Sequence, residues 1–585
     1  MSDSNKVIIG IDFGSSGISF AYGFKSDQNK NVIQGHFEDQ IKNSKISAEI
    51  ILDNNLKEVL AFGTKCESYI SHNEPNTYHH FKQIKMNLYK KNYKIKSNNQ
   101  QKEVDIEYII RLILIEVKKN TIMEIKKTKP SIIEKDCIFV ISVPAIWDLK
   151  SKQIMLQASQ NAGLFEENED TSTFFSLEPE AASIYYNTEL SNYQDVIEPG
   201  CGFILCDLGG GTADIIAQKK VMINNKIYFD ELHPPTGGSY GIQNINDNFI
   251  ERVIKKLFGE QNVNKLLENI KDDYLEWVKF ENEVELFKKS YNFTFIDNNI
   301  KYYCINCEIF QNCFDGKINI EDLVNNFNQN RPENLKIRIK RRWNIEFPYK
   351  IMDDLMEELL EGVVNYIKEI SNNPNIKIQS LIFTGGGSLN PSITSKIEKK
   401  TASYLNYIKS HNPETAISMG SVKWAYDKNI ISKRIAKFTF GVAKSLEWNE
   451  ELHKNGGKKI FNTLTNKYDC DNLFDKFITK GEEIPSNKVI TKYFLMDSPS
   501  IIIDLYKTEK ENVTFCDEKE NGKNVTQKFG ELYIEVKDGF DPFENSVGVD
   551  MKMGGTFISM SAIFVKTGKK ASTICIFDDK EDKKV

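Results

Sequence analysis

Two distant stretches of the chain share one pattern of apolar and small residues. The apolar run VIIGIDF at 7–13 leads into a short turn of small residues and a second apolar run at 18–24. The stretch FILCDLGGGTADIIA at 203–217 has the same plan, with glycines in the turn. Apolar runs on both sides of a tight turn predict a β-hairpin. Because Asp12 and Asp207 hold equivalent positions, the pattern predicts two similar domains that face each other.

Single strands and helices are predicted between and after these hairpins. Over 349–370, apolar residues recur at every fourth position and acidic residues occupy other faces, which predicts an amphipathic helix. The other predicted elements are a buried strand over 137–147 that ends at Pro144, a helix over 149–162 stopped by Gly163, a loop at 176 that becomes a helix after Pro179, and a strand, glycine turn and helix start over 380–393.

The pattern changes near residue 438. Short apolar runs such as SIIIDLYKT and GELYIEV, separated by Gly and Asp breaks, replace the helical periodicity. Regularly spaced short strands predict a compact all-β domain. We therefore expect an α/β part over 1–434, with lobes of roughly 1–200 and 201–434, a β-rich domain over 435–578, and a frayed lysine-rich tail over 579–585.

Composition and charge narrow the class of protein. The chain has 585 residues, of which 40% are hydrophobic and 27% charged, so large buried cores are expected. A formal net charge of -6 gives no reason to expect a nucleic-acid or membrane partner. No apolar run is long enough for a bilayer, the start MSDSNK lacks a signal-peptide pattern, and ten scattered cysteines suit a reducing compartment. These features predict a cytoplasmic protein.

Two local patterns invite other interpretations. Cys304, Cys307 and Cys313 contain a CxxC pair, but a second pair and a nearby histidine are missing, which favours buried thiols over zinc ligands. The basic run KIRIKRRW at 336–343 alternates isoleucines with charges and favours an edge or surface strand over a nucleic-acid site.

Three glycine-containing turns carry the candidate chemistry. Each follows an apolar strand: the first begins at Gly14, the second at Gly209 and the third at Gly385. Tight turns let several backbone N–H groups converge on an anion, and an aspartate at a strand end can hold hydrated Mg²⁺. The first turn alone could be a plain β-turn, and the third an ordinary strand-to-helix loop. Neither a dinucleotide-binding GxGxxG nor a GxxxxGK[ST] phosphate loop occurs.

Together the motifs resemble a known family. DFGSS, VPAIW, LEPEAA, CDLGGGTAD and TGGGS are similar to motifs of the 70-kDa heat-shock chaperone family within the actin-like ATPase superfamily. FKQIKM, GGSYG and the closing β-rich region resemble the atypical heat-shock 70 kDa protein 12 branch. The resemblance implies an α/β fold: a two-lobed actin-like ATPase with duplicated ribonuclease-H-like domains, followed by a small β-rich domain without a helical lid.

The resemblance also implies roles for individual residues. Asp12 and Asp207 would anchor Mg²⁺, with Asp214 in support. Lys85 would stabilise charge on the transferred phosphoryl group, Glu178 would orient the attacking water, and Asp207 would share in catalysis. The residues expected to bind ATP or ADP are Gly14, Ser15, Ser16, Gly209, Gly210, Gly211, Thr212, Gly238, Glu285, Lys288, Lys289, Gly386, Gly387 and Ser388.

Several of these residues have simpler alternatives. Lys85 lies in a lysine-rich stretch and could be solvated, and Glu178 could cap the helix after Pro179. Glu285 with Lys288 and Lys289 could be an ion-paired helix face. The chain also departs from the family: Gly17 stands where an aromatic is usual, Asn390 where an arginine is common, and KRIAKFTFGVAKS where a leucine-rich acidic linker couples the domains.

The motifs and the resemblance predict an ATP-binding, Mg²⁺-dependent, chaperone-like protein. It would hydrolyse ATP to ADP and contact polypeptide clients or co-chaperones through its β-rich domain. One alternative is a nucleotide-gated scaffold or signalling protein with little hydrolysis. Another is a small-molecule kinase of the same fold, which the β-rich C-terminal region disfavours.

Overall fold

The fold is a mixture of α-helices and β-sheets, obtained as a computed structural model. The described residues are 6–37, 44–165, 174–189, 197–291, 300–314, 318–410, 412–463, 465–486, 488–496, 498–535, 546–552, 559–565 and 572–577. Within these ranges, no helix is long and apolar enough to cross a membrane. The tail predicted at 579–585 lies outside the described residues.

Strands dominate the beginning of the chain and its last quarter. In chain order they are β1 (Val7–Phe13), β2 (Gly17–Phe24), β3 (Ile33–Gln34), β4 (Ile46–Ser47), β5 (Ile50–Asp53), β6 (Val59–Phe62), β7 (Tyr78–Phe81), β8 (Lys94–Lys96), β9 (Glu103–Asp105), β10 (Cys137–Val143), β11 (Phe175–Leu177), β12 (Gly202–Leu208), β13 (Ala213–Ile223), β14 (Lys226–Gly238), β15 (Tyr302–Asn306), β16 (Arg338–Arg341), β17 (Asn344–Pro348), β18 (Ile378–Thr384), β19 (Asn406–Lys409), β20 (Ile431–Ile435), β21 (Thr439–Glu447), β22 (Lys459–Asn462), β23 (Lys467–Ile478), β24 (Glu483–Pro485), β25 (Val489–Leu495), β26 (Ser500–Thr508), β27 (Lys519–Glu520), β28 (Lys523–Asn524), β29 (Thr526–Glu535), β30 (Ser546–Lys552), β31 (Ser559–Phe564) and β32 (Ser572–Phe577).

Helices are concentrated between the hairpins and before residue 430. The α-helices are α1 (Lys65–His72), α2 (Ile84–Tyr89), α3 (Ile106–Thr128), α4 (Leu149–Asn161), α5 (Glu178–Glu189), α6 (Gln243–Phe249), α7 (Lys255–Phe258), α8 (Glu260–Glu268), α9 (Tyr274–Ser290), α10 (Ile320–Asn328), α11 (Ile351–Ser371), α12 (Pro391–Lys400), α13 (Ala416–Tyr426) and α14 (Glu450–His453). A π-helical turn over Ile250–Ile254 joins α6 to α7, and a 3₁₀ turn over Gly386–Leu389 precedes α12.

Two sheets repeat one strand order. The first runs β11-β10-β1-β2-β3, and β4 also pairs with β2. The second runs β19-β18-β12-β13-β14-β20-β24. In each sheet the hairpin strand that carries the aspartate pairs antiparallel with its hairpin partner and parallel with a later strand, β10 or β18. The carboxyl ends of these parallel strands are therefore next to the two hairpin turns, where ligands of open α/β sheets usually bind.

Helices α5 and α13 pack between the two sheets. Their core joins Ile8 and Val140 of the first sheet to Phe203 and Leu205 of the second. The helices approach so closely at Gly420 that a Cβ there would lie 1.8 Å from the carbonyl oxygen of Ala181. Only a residue without a side chain allows this approach. The N-terminal half of α5 is thereby held close against α13.

The region after residue 438 is built from antiparallel sheets. One sheet has the order β22-β23-β21-β26-β29-β32 and another the order β25-β30-β31. Apolar residues from both sheets, including Leu505, Leu532 and Val549, form one core. The short strand β24 leaves this region and pairs antiparallel with β20, so it extends the sheet that contains Asp207.

The structure agrees with most of the predicted elements. Both hairpins, the strand before Pro144 and the helices predicted over 149–162 and 349–370 are present, with ends shifted by one or two residues. The loop predicted before Pro179 was wrong in detail, because 175–177 forms β11 against β10 and α5 already begins at Glu178. Pro179 is tolerated in the first helical turn, where its missing N–H is not needed.

The cysteine group at 304–313 and the basic run at 336–343 also have clear places in the fold. Cys307 and Cys313 are buried in a hydrophobic core and Cys304 is half-buried on β15; all three are free thiols. Among the described residues, none of them belongs to a group with metal-ligand spacing. The basic run contains β16, an edge strand that pairs with β17 alone. Cys307 and Cys313 are therefore buried thiols as predicted, Cys304 is so only in part, and the basic run contains the predicted edge strand.

Candidate functional site

The two hairpin turns have the same backbone geometry. The Gly14 N–H donates to the carbonyl of Gly17 at 3.0 Å, and the Gly209 N–H donates to that of Thr212 at 2.9 Å. In the β1–β2 register Asp12 stands opposite Ser19, and in the β12–β13 register Asp207 stands opposite Asp214. The structure therefore brings each aspartate to the same position, two residues before its turn, and the second hairpin has an additional carboxylate.

The turns lie against each other across the space between the sheets. A Cβ on Gly210 would lie 2.9 Å from Oγ of Ser16, and one on Gly211 would lie 2.8 Å from Oγ of Ser15. The Gly211 position is also closed by Met86, whose Sδ would be 1.9 Å from such a Cβ. The two glycines are required because side chains at these positions would collide with the opposite turn.

The segment after β14 supports the second turn from behind. N–H groups of Gly241, Ile242 and Gln243 donate to the carbonyls of Gly211, Gly209 and Gly210 at 3.2, 3.1 and 2.7 Å. Gly238, the last residue of β14, pairs with Ala213 on the neighbouring strand, next to the turn. These bonds use the carbonyl groups of all three glycines and hold the turn in one conformation.

Four carboxyl groups meet at the base of the turns. Asp12, Asp207, Asp214 and Glu178 are each at most 4% exposed. Burial, reinforced by Asp214 and Asp12, raises the pKa of Asp207 to about 7. Burial also raises the pKa of Glu178 to about 8, against the opposing effect of Lys85. The pKa of Asp214 is raised by burial although its Oδ2 accepts a bond of 2.9 Å from Oγ1 of Thr212.

Two lysines partly neutralise this acidic cluster. The Lys45 Nζ lies 2.8 Å from Oδ2 of Asp12, and the Lys85 Nζ forms a buried ion pair with Oε1 of Glu178. Lys85 also lies 5.9 Å from the centre of the Trp147 ring, a cation–π distance. Four carboxyl groups face only two ammonium groups, so full ionisation of the cluster would leave an excess of negative charge. Oδ1 of Asp207 is in addition buried without a hydrogen-bond partner. The arrangement can therefore accept a cation.

The third glycine turn packs against the strand end that carries Asp207. Gly385 has φ of 77°, and a Cβ there would lie 2.2 Å from Oδ1 of Asp207. A Cβ on Gly387 would lie 2.8 Å from the carbonyl oxygen of Leu208, whereas a Cβ on Gly386 would meet no atom within 4 Å. The Ser388 hydroxyl donates to the carbonyl of Gly385 at 2.7 Å. Gly386 is thus the member of the turn with open space beside it.

Helix α9 carries the remaining predicted group. Glu285 accepts from Asn246 at 2.7 Å and pairs with Lys288 at 2.6 Å and Lys289 at 3.4 Å. Lys288 is buried and reaches the carbonyl of Ile242 at 3.4 Å, in the segment that supports the second turn. The ion-paired helix face is therefore present, and it lies beside the segment that supports the second glycine turn.

A cleft of about 340 Å³ joins part of this set. Ser15, Ser16, Gly210, Glu285 and Lys289 line it together. The described residues that line it do not include the acidic cluster, Lys288 or the turn at 386–388.

Sequence reasoning did not find three residues of the site. Lys45 follows a polar stretch without any motif, and only the tertiary fold brings it to Asp12. Trp147 lies in the motif VPAIW, close to Pro144, and Met86 lies in FKQIKM, next to Lys85. This closeness in sequence was the signal that could have identified both residues as part of the site. Met86 meets Gly211 because α2 packs against the second hairpin, and Trp147 meets Lys85 because the segment after β10 packs against α2.

Comparisons with known proteins cover almost the whole chain. Human heat shock 70 kDa protein 12A is 22% identical over 647 aligned positions, which cover 96% of this chain and 90% of that protein. The mouse protein of the same name gives the same figures. Human heat shock 70 kDa protein 12B is 19% identical over 97% of this chain and 90% of its own length.

The chain resembles the heat shock 70 kDa protein 12 branch. The resemblance predicted from the motifs is confirmed, and the mixed α/β fold is consistent with an actin-like ATPase by homology. A family described as a domain of unknown function, DUF8340, matches residues 198–406. That segment extends from just before β12 into β19 and contains both the Asp207 hairpin and the third glycine turn.

Proposed function

We propose that this chain binds ATP with Mg²⁺ between the Asp12 and Asp207 hairpins and hydrolyses it to ADP. The observation that carries the proposal is the pair of matched turns above four buried carboxyl groups. Distant similarity to the heat shock 70 kDa protein 12 proteins supports the same function. We further propose a chaperone-like role in the cytoplasm, with the nucleotide-binding domain spanning 1–434 and a lidless β-rich domain spanning 435–578.

The acidic cluster suits a hydrated Mg²⁺. Mg²⁺ takes oxygen ligands, keeps several of its waters and is usually held by one or two carboxylates. Asp12 and Asp207 would hold it, and the partnerless Oδ1 of Asp207 supplies an acceptor that has no other role among the described residues. Asp214, anchored by Thr212, would receive a bond from a coordinated water. A bound cation would supply the positive charge that two lysines alone do not provide.

The hairpin turns suit the phosphates. Ser15 and Ser16 offer hydroxyl donors directly opposite Gly210 and Gly211, and both turns offer backbone N–H groups. Such concave turns bind anions because several N–H dipoles converge without the cost of ordering a side chain. Gly14, Gly209 and Thr212 would keep the two turns in their matched shape, since they form the closing hydrogen bonds or stand at their ends.

Lys85 and Glu178 are positioned for the hydrolytic step. Glu178 is the first residue of α5, where the positive end of the helix dipole stabilises a carboxylate. As a carboxylate it would orient the attacking water by accepting its hydrogen bond, while Lys85 stabilises negative charge on the transferred phosphoryl group. Trp147 and Glu178 hold the Lys85 ammonium in place, so the charge needs little reorganisation during the reaction.

Two groups of residues would hold the adenosine. Gly386, with open space beside it, Gly387 and Ser388 would lie against the base and ribose on one side. Glu285, Lys288 and Lys289 would approach from helix α9 on the other.

The region after residue 438 would contact polypeptides. A buried ion pair links it to the nucleotide site: Arg434, on the strand that leads into this region, bonds both carboxylate oxygens of Glu180 at 2.8 and 2.7 Å. Glu180 lies in the same helical turn as Glu178. The connection offers a physical route by which nucleotide could affect the β-rich domain without the usual leucine-rich linker.

Single-turnover hydrolysis of ATP by the purified chain tests the proposal. The unchanged protein should bind Mg-ATP and release ADP above the background rate, and Lys85→Ala, Glu178→Ala and Asp207→Ala should lose that rate. Binding of ATP with background hydrolysis in all four proteins would instead support a nucleotide-gated scaffold. Turnover that requires an added sugar or polyol would support a small-molecule kinase.

A further inference from the structure

A second cluster of metal-ligating side chains lies in the wall of the cleft. Glu49 precedes β5, Cys66 is in α1 and His80 is in β7. One donor atom from each lies within 4.8 Å of the other two. Among the described residues, this is the one group of histidine, cysteine and acidic side chains with such spacing. It is separate from Asp12, Asp207 and Asp214, which have the predicted role at the phosphates.

We propose that Glu49, Cys66 and His80 bind a Zn²⁺ ion. Zn²⁺ is borderline soft and accepts thiolate, imidazole and carboxylate together, whereas Mg²⁺ and Ca²⁺ prefer oxygen ligands alone. Tetrahedral Zn²⁺ with these ligands requires donor atoms roughly 3.3–3.6 Å apart. The observed spacing meets this requirement after side-chain shifts of about 1 Å, which rotamer adjustment within the three side chains can supply.

The hydrogen bond at Nδ1 favours His80 as a ligand through Nε2. The Nδ1 of His80 lies 2.6 Å from the hydroxyl of Tyr274, at the start of helix α9. A hydrogen bond at one ring nitrogen fixes the orientation of a histidine and directs the other nitrogen to the metal. The Nε2 lies 2.8 Å from Oε2 of Glu49, so the two atoms that would bind the ion already point at one another.

The cluster also has an access route and an open position. Glu49 and His80 line the 340 Å³ cleft, while Cys66 is fully buried behind them. An ion can therefore enter from the cleft, and a fourth ligand, a water or a polar group of a bound molecule, would come from the same side. Three protein ligands with one open position are typical of zinc sites that bind or activate a further molecule.

Metal binding would have to rearrange contacts that the cluster already makes. Oε2 of Glu49 pairs with Nε2 of His80 at 2.8 Å, and Cys66 lies in a core that contains Ile51, Ile70 and Tyr78. Zn²⁺ would enter between Glu49 and His80, bind the thiolate of Cys66 and displace the thiol proton to solvent.

Titration of the metal-free full-length chain with Zn²⁺ and Co²⁺ tests the proposal. The expected result is one ion per chain and a thiolate-to-cobalt charge-transfer band. Cys66→Ser should remove the band, while Cys307→Ser, an equally buried thiol outside the cluster, should keep it. Glu49→Gln, at the cleft wall, should fold normally, keep the band and weaken Zn²⁺ binding about ten-fold or more.

The same titration separates this site from the phosphate site. Asp12→Ala should leave Zn²⁺ affinity unchanged, because Asp12 lies outside the cluster. Absence of a thiolate band in the unchanged protein would overturn the proposal and leave Glu49, His80 and Tyr274 as a hydrogen-bonded chain only. Identical titrations of Cys66→Ser and Cys307→Ser, or of Glu49→Gln and the unchanged protein, would overturn it as well.

Discussion

The Lys45 ammonium lies 2.8 Å from Oδ2 of Asp12, and Asp12 is almost fully buried. Burial alone would lower the pKa of Lys45, but the ion pair with Asp12, helped by Asp207 and Glu414, raises it, so the lysine stays charged. The Lys45 ammonium therefore provides positive charge at a carboxylate that we propose as a Mg²⁺ ligand. Any metal that binds Asp12 has to share this carboxylate with Lys45 or move it aside.

Replacing Lys45 should destabilise the metal-free protein. Lys45→Met leaves the buried Asp12 carboxylate unpaired, so the free energy of unfolding should fall by about 2–3 kcal/mol, and Mg²⁺ should restore most of the loss. Lys82→Met is the matched control: Lys82 is equally exposed, but its partner Glu281 is 26% exposed rather than 2%. Its loss should stay below about 1 kcal/mol. Urea unfolding with and without Mg²⁺ measures both; equal losses would contradict the assignment.

Conservative changes at Lys85 and Glu178 should separate binding from hydrolysis. Lys85→Met and Glu178→Gln remove charges that we assign to the hydrolytic step, so single-turnover rates should fall about 100-fold or more. Mg-ATP affinity should change much less, because the turns and Asp12 remain. Lys57→Ala, on an exposed turn, controls for charge loss alone. A drop in affinity as large as the drop in rate would assign both residues to binding.

The stability of the metal-free protein should fall as pH rises. Burial raises the pKa of Asp207 from its ordinary 3.8 to about 7, and raises that of Glu178 from 4.5 to about 8. Between about pH 4 and 8 the folded state therefore binds more protons than the unfolded state, and deprotonation costs stability. Thermal unfolding from pH 5 to 9 should show this decrease, and Asp207→Asn should flatten the curve.

Glu231 supplies the control for this pH dependence. Burial raises its pKa to about 8, reinforced by Glu180, but Glu231 bonds the N–H of Ile435 and lies outside the acidic cluster. Mg²⁺ should remove the pH dependence of stability that is due to Asp207. The pH dependence due to Glu231 should remain, and only Glu231→Gln should remove it. A pH curve that Mg²⁺ does not change would argue against a metal at Asp207.

Gly386→Val should test the adenosine side of the site without harming the fold. A Cβ on Gly386 meets no atom within 4 Å, and its φ needs no glycine, so the melting temperature should stay within about 2 °C of the unchanged protein. The added isopropyl group would occupy the space proposed for the nucleoside, so ATP affinity should fall about ten-fold or more. Inorganic phosphate or pyrophosphate binding should be unaffected. Unchanged ATP affinity would show that the nucleoside does not bind beside Gly386.

The ion pair between Arg434 and Glu180 should be costly to break but not to replace. Glu180 is 1% and Arg434 11% exposed, so Arg434→Met removes the bidentate partner of a buried carboxylate and should cost about 3–5 kcal/mol. The double variant Glu180→Gln with Arg434→Met should recover much of that loss. Urea unfolding of the four proteins measures the coupling energy. Additive losses would mean that Arg434 and Glu180 do not stabilise each other.

The main strands could be predicted from the sequence because their apolar runs are long and uninterrupted. The two hairpins and β10 have seven or more residues and are buried along most of their length. Strand β11 could not be predicted, because its three residues carry no alternation and become a strand only by pairing with β10. The strand order of the two sheets and the return of β24 to β20 depend on distant contacts that leave no local signal.

Some residues of the candidate site could likewise be predicted from the sequence, and others could not. Glycines, aspartates and the LEPEAA motif could be named because their chemistry is local and the motifs are short. The pairing of Lys45 with Asp12 and the cluster of Glu49, Cys66 and His80 link residues from separate elements, so no spacing in the sequence reveals them. The roles assigned to Lys85, Glu178, Glu285 and the turn at 386–388 remain predictions, which the experiments above address.

Strand β24 has a consequence for how the molecule responds to a break in its backbone. It returns from the C-terminal region to β20, where Lys433, Arg434 and Ile435 pair with Pro485, Ile484 and Glu483. A protease nick in the exposed turn at 454–458 would therefore leave two fragments joined by β24 and by β21, rather than release the C-terminal part. We expect the two fragments to co-migrate on a sizing column and to separate only in denaturant. The reason is that the boundary of the folded unit does not coincide with any single point along the polypeptide.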